Sequence, residues 1–134
     1  MPFLHANFLH LISNTFPFIV FSILISLRGN IYYLKVTVLI TLIAGVLLWI
    51  FGRSAFHIGA SGLVFGYFGF LLLRSIYSPS ITSMAIAFGV FIFYGGMIWG
   101  VFPQAVHISW EGHLLGAIAG AITARLMKTD KDTS

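Results

Sequence analysis

HIGASGLVFGYFGFLLLRSIY, His57 to Tyr77, decides the fold. From Ala60 it is a segment of helical length, unbroken in its apolar character from Gly62 to Leu73 and stopped by Ser78 and Pro79. It opens on Ser61, a hydroxyl between Gly59 and Gly62 at the mouth of a segment that lipid cannot hydrate. The remainder of the chain has the same character. Hydrophobic residues make up 59% of the 134 and charged residues 7%, against roughly 25% charged in an average soluble domain. So little charge excludes a water-soluble core and points to a membrane protein.

A membrane-crossing helix needs about 20 predominantly apolar residues, so this length holds about five spans with short connections. The spans read as His5 to Leu27, Ile31 to Phe51, Ala60 to Tyr77, Ile81 to Val101 and Glu111 to Met127. Only helices or closed barrels satisfy backbone groups in lipid, and the runs are continuous rather than alternating, which disfavours a barrel. The expectation is an all-α, polytopic membrane helix bundle, a single domain over 1–134 with a polar tail from about 128 to 134. The first run lacks a basic leader and carries two histidines and an asparagine, so it reads as a span rather than a signal peptide.

There are no cysteines, which excludes disulfides and thiolate-ligated metals. The net charge of +4 is small and scattered; it sets topology and gives no nucleic-acid footprint. Arg28, Lys35, Arg74, Arg125, Lys128 and Lys131 fall on one side of a five-span bundle and Arg53 on the other. The positive-inside rule makes the crowded side, with the C-terminus, cytoplasmic. Spans one, three and five then all begin near the outer face. Their N-terminal ends carry His5, His10 and Asn14; Ser61; and His113, so the polar residues are expected at one depth.

Each group has an ordinary reading and a chemical one. Ser61 can be a helix-capping serine beside packing glycines, or a nucleophile if a base takes its proton, with unpaired first-turn amides facing an oxyanion. His113 can be an interfacial histidine, or a general base, because imidazole titrates near neutrality. Gly112, Gly116 and Gly120 continue its face as small-xxx-small steps that press on another helix. If that helix is span three, His113 approaches Ser61. His10 and Asn14 share a helix face and both carry donors. His57 and His107, in connecting segments on the same side, are competing bases and also read as solvated surface histidines. A metal site on His5, His10 and His113 is disfavoured, because Glu111 is the sole carboxylate outside the tail and catalytic zinc sites use three protein ligands. No cofactor is called for.

Taken together, His-x4-His-x3-Asn at His5, His10 and Asn14, Gly-x-Ser-Gly at Gly59, Ser61 and Gly62, and Gly-His at Gly112 and His113 resemble the rhomboid intramembrane serine proteases. The resemblance covers nearly the whole chain, from the family's second helix onward; it implies a first helix and a following loop that have no counterpart here, as in a truncated chain. It implies a dyad with Ser61 as nucleophile and His113 as base, His10 and Asn14 as oxyanion donors, and support from His5, Gly59, Gly62, Gly112 and Gly116. It implies a gate in the segment Phe91 to Trp110, and substrates that are transmembrane segments cut near the outer face, in a bacterial plasma membrane. Some relatives carry a tyrosine four positions after the serine that stacks on the histidine; Phe65 stands there. The competing reading is a non-catalytic rhomboid-like protein that binds transmembrane helices. Such relatives usually lack the serine or the histidine, and both are present here.

Overall fold

The computed structural model describes residues 15–51, 60–101 and 110–128, with backbone alone at Ala60, Ser61, Gly100, Val101 and Trp110. Within them the chain is all-helical: α1 (Thr15–Ser26), α2 (Asn30–Phe51), α3 (Ala60–Tyr77), α4 (Ile81–Tyr94) and α5 (Trp110–Leu126), with a 3₁₀ segment, Gly95–Val101, after α4. By length and composition Asn30–Phe51 and Ile81–Trp99 can each cross a membrane.

The breaks have local causes. Gly29 adopts φ +119°, outside the range comfortable for L side chains, and its N–H donates to Ser26 O at 2.8 Å. This turn closes α1, and the Gly29 carbonyl accepts from Tyr33 N–H to open α2. Pro79 cannot continue α3. Ser80 and Ser83 then form a reciprocal capping box, with N–H to Oγ distances of 3.0 and 2.9 Å, satisfying donors that a helix start leaves unpaired. The fourth span, expected as one helix to Val101, tightens to 3₁₀ geometry at Gly95. Gly95 and Gly96 weaken the α-helix there, and helix ends commonly relax to the tighter winding.

α3 is the hub. It packs most extensively on α5 and also touches α4 and α2, while Phe18 and Phe21 of α1 meet Tyr67 and Phe68 on another of its sides. The core draws Phe21 and Ile25 from α1, Val36 and Ile40 from α2, Val64, Phe70 and Leu71 from α3, Val90 from α4 and Ala119 from α5. Outside it, α2 and α4 present Leu34, Leu42, Trp49, Phe88 and Phe93 to the surroundings, Trp49 at 86% exposure. Contiguous apolar exposure on this scale is rare in a soluble monomer and is what a helix in lipid presents.

Basic residues gather at one end. The guanidiniums of Arg28 and Arg74 lie 5.2 and 5.7 Å from the centre of the Tyr32 ring, within cation–π range. Arg125 lies 5.7 Å from that of Tyr77. Arg74 is 3% exposed, and at the C-terminal turn of α3 it complements the helix dipole. Ser61 is 13 residues earlier, about 20 Å away at 1.5 Å per residue. The first turn of α3 and the basic cluster therefore occupy opposite ends of the bundle.

Candidate active site

Ser61 falls in the first turn of α3 and His113 in the first turn of α5. These two helices form the tightest seam in the molecule. A Cβ on Gly116 would overlap the carbonyl of Gly62, and one on Gly120 would overlap that of Gly66. Farther along, Gly69 lies against the carbonyl of Ala117. Backbone thus meets backbone along most of the contact, the approach that small residues at every fourth position permit. The partner of the α5 glycine ladder is α3, as the sequence reading required for His113 to come near Ser61.

At the end of that seam nearest the two helix starts, Phe65 and His113 stack. Their ring centroids are 4.3 Å apart and their planes 10° from parallel. Phe65 is one helical turn after Ser61, so the imidazole is held flat against α3 just below the serine's turn. The stack favours an imidazole plane parallel to the Phe65 face, and with it the layer in which the ring nitrogens lie. His113 and Gly112 are half-buried. Glu111, also in the first turn, sits where a negative charge favours the helix dipole.

The other expected site residues, His5, His10, Asn14 and Gly59, lie outside the described residues, as do His57, His107 and the part of the expected gate from 102 to 109. Two features were missed in the sequence. Gly66 and Gly69 extend the small-residue face of α3, a signal legible as Gly62-x3-Gly66. The other is a set of buried hydroxyls centred on Tyr67, joined only when three helices pack.

A second surface bears on access. A groove runs between α1 and α4, lined by Val20 and Leu24 on one wall and Ala85, Ile86, Gly89, Val90, Phe93 and Tyr94 on the other. It is nearly wholly apolar and opens toward the lipid-facing exterior of these helices.

An all-helical bundle with apolar outer faces, a glycine-to-glycine central seam and a serine and histidine in the first turns of the two seam helices is the architecture of a polytopic membrane protein. The Rhomboid domain family matches residues 1–129, and the chain belongs to that family. It is 37% identical to an uncharacterized protein of Mycobacterium tuberculosis, over 94% of this chain and 56% of the relative. It is 38% identical to one of Mycobacterium leprae, over 94% and 53%. It is 29% identical to a putative rhomboid protein of Acanthamoeba polyphaga mimivirus, over 96% and 73%. The chain thus spans about half the length of its mycobacterial relatives. No solved structure gives a significant match.

Proposed function

We propose that this chain is the core of an intramembrane serine endopeptidase, with Ser61 and His113 as its dyad. The observation that carries this reading is the α3–α5 seam, which joins the helix starts bearing the two residues, with Phe65 stacked on the imidazole. In the mechanism this supports, His113 accepts the Ser61 hydroxyl proton as Oγ attacks a peptide carbonyl. The tetrahedral oxyanion takes hydrogen bonds from His10, Asn14 and the Ser61 amide. His113 then protonates the departing amine, and water, deprotonated by the same imidazole, hydrolyses the acyl-enzyme.

The substrates are transmembrane segments. Their carbonyls are committed to helix hydrogen bonds, so the helix unwinds locally before cleavage, which favours small and helix-breaking residues at the cut. The groove between α1 and α4 offers such a segment an apolar wall from which to enter. The gathering of Arg28, Arg74, Arg125 and Lys128 at the opposite end supports a cytoplasmic C-terminus and a cut near the outer face of a bacterial plasma membrane.

The test is labelling of the detergent-solubilised protein with a fluorophosphonate, alongside cleavage of a reporter transmembrane substrate. Labelling is expected in the parent chain and to vanish in Ser61→Ala; cleavage is expected to vanish in both Ser61→Ala and His113→Ala. Binding of the reporter helix without labelling or cleavage would establish the non-catalytic alternative instead.

A further inference from the structure

Tyr67 is fully buried in α3, with its hydroxyl bonded to α2. Its hydroxyl lies 3.1 Å from that of Tyr33, to which it donates, and 2.7 Å from the Thr37 hydroxyl. Tyr33 in turn lies 3.0 Å from Ser22 Oγ. A hydroxyl has one proton to give. Because Tyr67 gives its own to Tyr33, Thr37 must donate to Tyr67, while either hydroxyl of the Tyr33–Ser22 pair can be the donor. The four form one hydrogen-bonded chain, Thr37–Tyr67–Tyr33–Ser22, running from α2 through α3 and back through α2 to α1. The Tyr67 ring is also packed on both neighbours, 5.8 Å from Phe18 and 5.9 Å from Tyr33.

This chain lies deep in the bundle. Tyr67 is six residues beyond Ser61 and seven before Arg74, about 9–10 Å from each along the helix. A hydroxyl left unpaired at that depth is costly, with no bulk water to compensate. The two sides of α3 are consequently held by different forces. Toward α5 the contact is glycine against backbone, close but without direction along the axis. Toward α1 and α2 it is a chain of hydrogen bonds, whose strength depends steeply on distance and angle.

We infer that the Ser22–Tyr33–Tyr67–Thr37 chain sets the axial register of α3 against α1, and that Tyr67 is its positioning residue. This rests on the proteolytic reading: α3 carries the nucleophile, and that reading assigns an oxyanion donor to Asn14, next in sequence to the first residue of α1, so a change in the α1–α3 register is expected to lower kcat. A misplacement of about 1 Å from a change far from the chemistry can cost on the order of a hundredfold in rate.

Tyr67→Phe keeps the ring and removes the hydroxyl. The expected result is a fall in kcat of roughly tenfold or more with KM unchanged, since substrate contacts are not touched, and a matching fall in Ser22→Ala. Because the chain contains no cysteine, spin labels placed by Ile23→Cys and Ile76→Cys, both on exposed positions, report the α1–α3 distance without interference. Tyr67→Phe is expected to shift or broaden that distribution. If kcat and the distribution both match the parent, the inference is overturned, even if the variant melts earlier. If the parent does not cleave while the distribution still shifts, the proteolytic reading fails and the register role stands.

Discussion

Phe65 and His113 lie face to face, 4.3 Å between ring centroids and 10° between planes, across the seam where α3 and α5 are separated by little more than glycine hydrogens. The glycines and the stack depend on each other. A bulkier seam would hold the rings apart, and without the stack the imidazole would lose the contact that orients its plane. The phenylalanine therefore preserves the geometry that the resemblance assigns to a tyrosine, without its hydroxyl.

This relation predicts the effect of altering Phe65. Phe65→Leu keeps an apolar side chain but removes the ring. An aromatic pair contributes about 0.5–1.5 kcal/mol beyond its area burial, which as lost orientation in the transition state is up to roughly tenfold in kcat. Phe65→Tyr retains the ring and is expected to retain the rate. Initial rates on the reporter substrate, with thermal melts to show that each variant is folded, check both; equal rates for Leu and Phe would remove the stack from the mechanism.

The seam can be tested for stability without reference to catalysis. Gly116→Ala forces a methyl group into the Gly62 carbonyl, and the backbone there cannot step aside as a flexible side chain would. Overpacking of this kind typically costs about 1–3 kcal/mol. Gly89→Ala is the control: its Cβ would meet nothing within 4 Å, so no overpacking follows, and the better helix propensity of alanine makes it neutral or stabilising by up to about 1 kcal/mol. Unfolding in mixed detergent micelles should separate the two variants clearly.

Much of this was legible because it is written locally. Pro79 and the Ser80–Ser83 pair mark the end of α3 and the start of α4, and the third span is found at Ala60–Tyr77 as read. The Gly112-x3-Gly116-x3-Gly120 ladder announced a close helix contact and left its partner conditional; packing supplies α3. The turn to 3₁₀ geometry at Gly95 is less legible, since two glycines are equally compatible with a straight membrane helix. The hydroxyl chain is not legible at all. Ser22, Tyr33, Thr37 and Tyr67 are unremarkable one by one, and only the relative rotation of α1, α2 and α3 brings them together.

Gly29 offers a cleaner conformational test than the seam. Its φ of +119° is the only positive value among the described residues, and a Cβ there would touch nothing within 4 Å. Any loss in Gly29→Ala is thus backbone strain alone, expected at about 1–3 kcal/mol. The turn joins α1 to α2, so the change should lower the melting temperature while leaving KM for the reporter substrate where it was. A variant as stable as the parent would mean that the turn is reached by a different backbone path.

The groove between α1 and α4 gives the last prediction. Gly89 sits on its α4 wall, and a Cβ there would meet nothing within 4 Å, so Gly89→Leu projects an isobutyl group into the groove from an unhindered start. If a transmembrane segment enters along this wall, the added isobutyl group occupies part of the surface it would bury, and KM for a membrane-embedded reporter should rise. A burial loss of one leucine-sized contact corresponds to about 1.5–3 kcal/mol, or roughly ten- to a hundredfold in binding. A short, water-soluble peptide carrying the same scissile bond has no helix to lay in the groove, and its cleavage should be unchanged. The contrast between the two substrates in one variant is the deciding measurement. Equal effects on both would mean that the leucine disturbs the catalytic groups rather than the approach to them, and no effect on either would move the substrate's route to another face of the bundle.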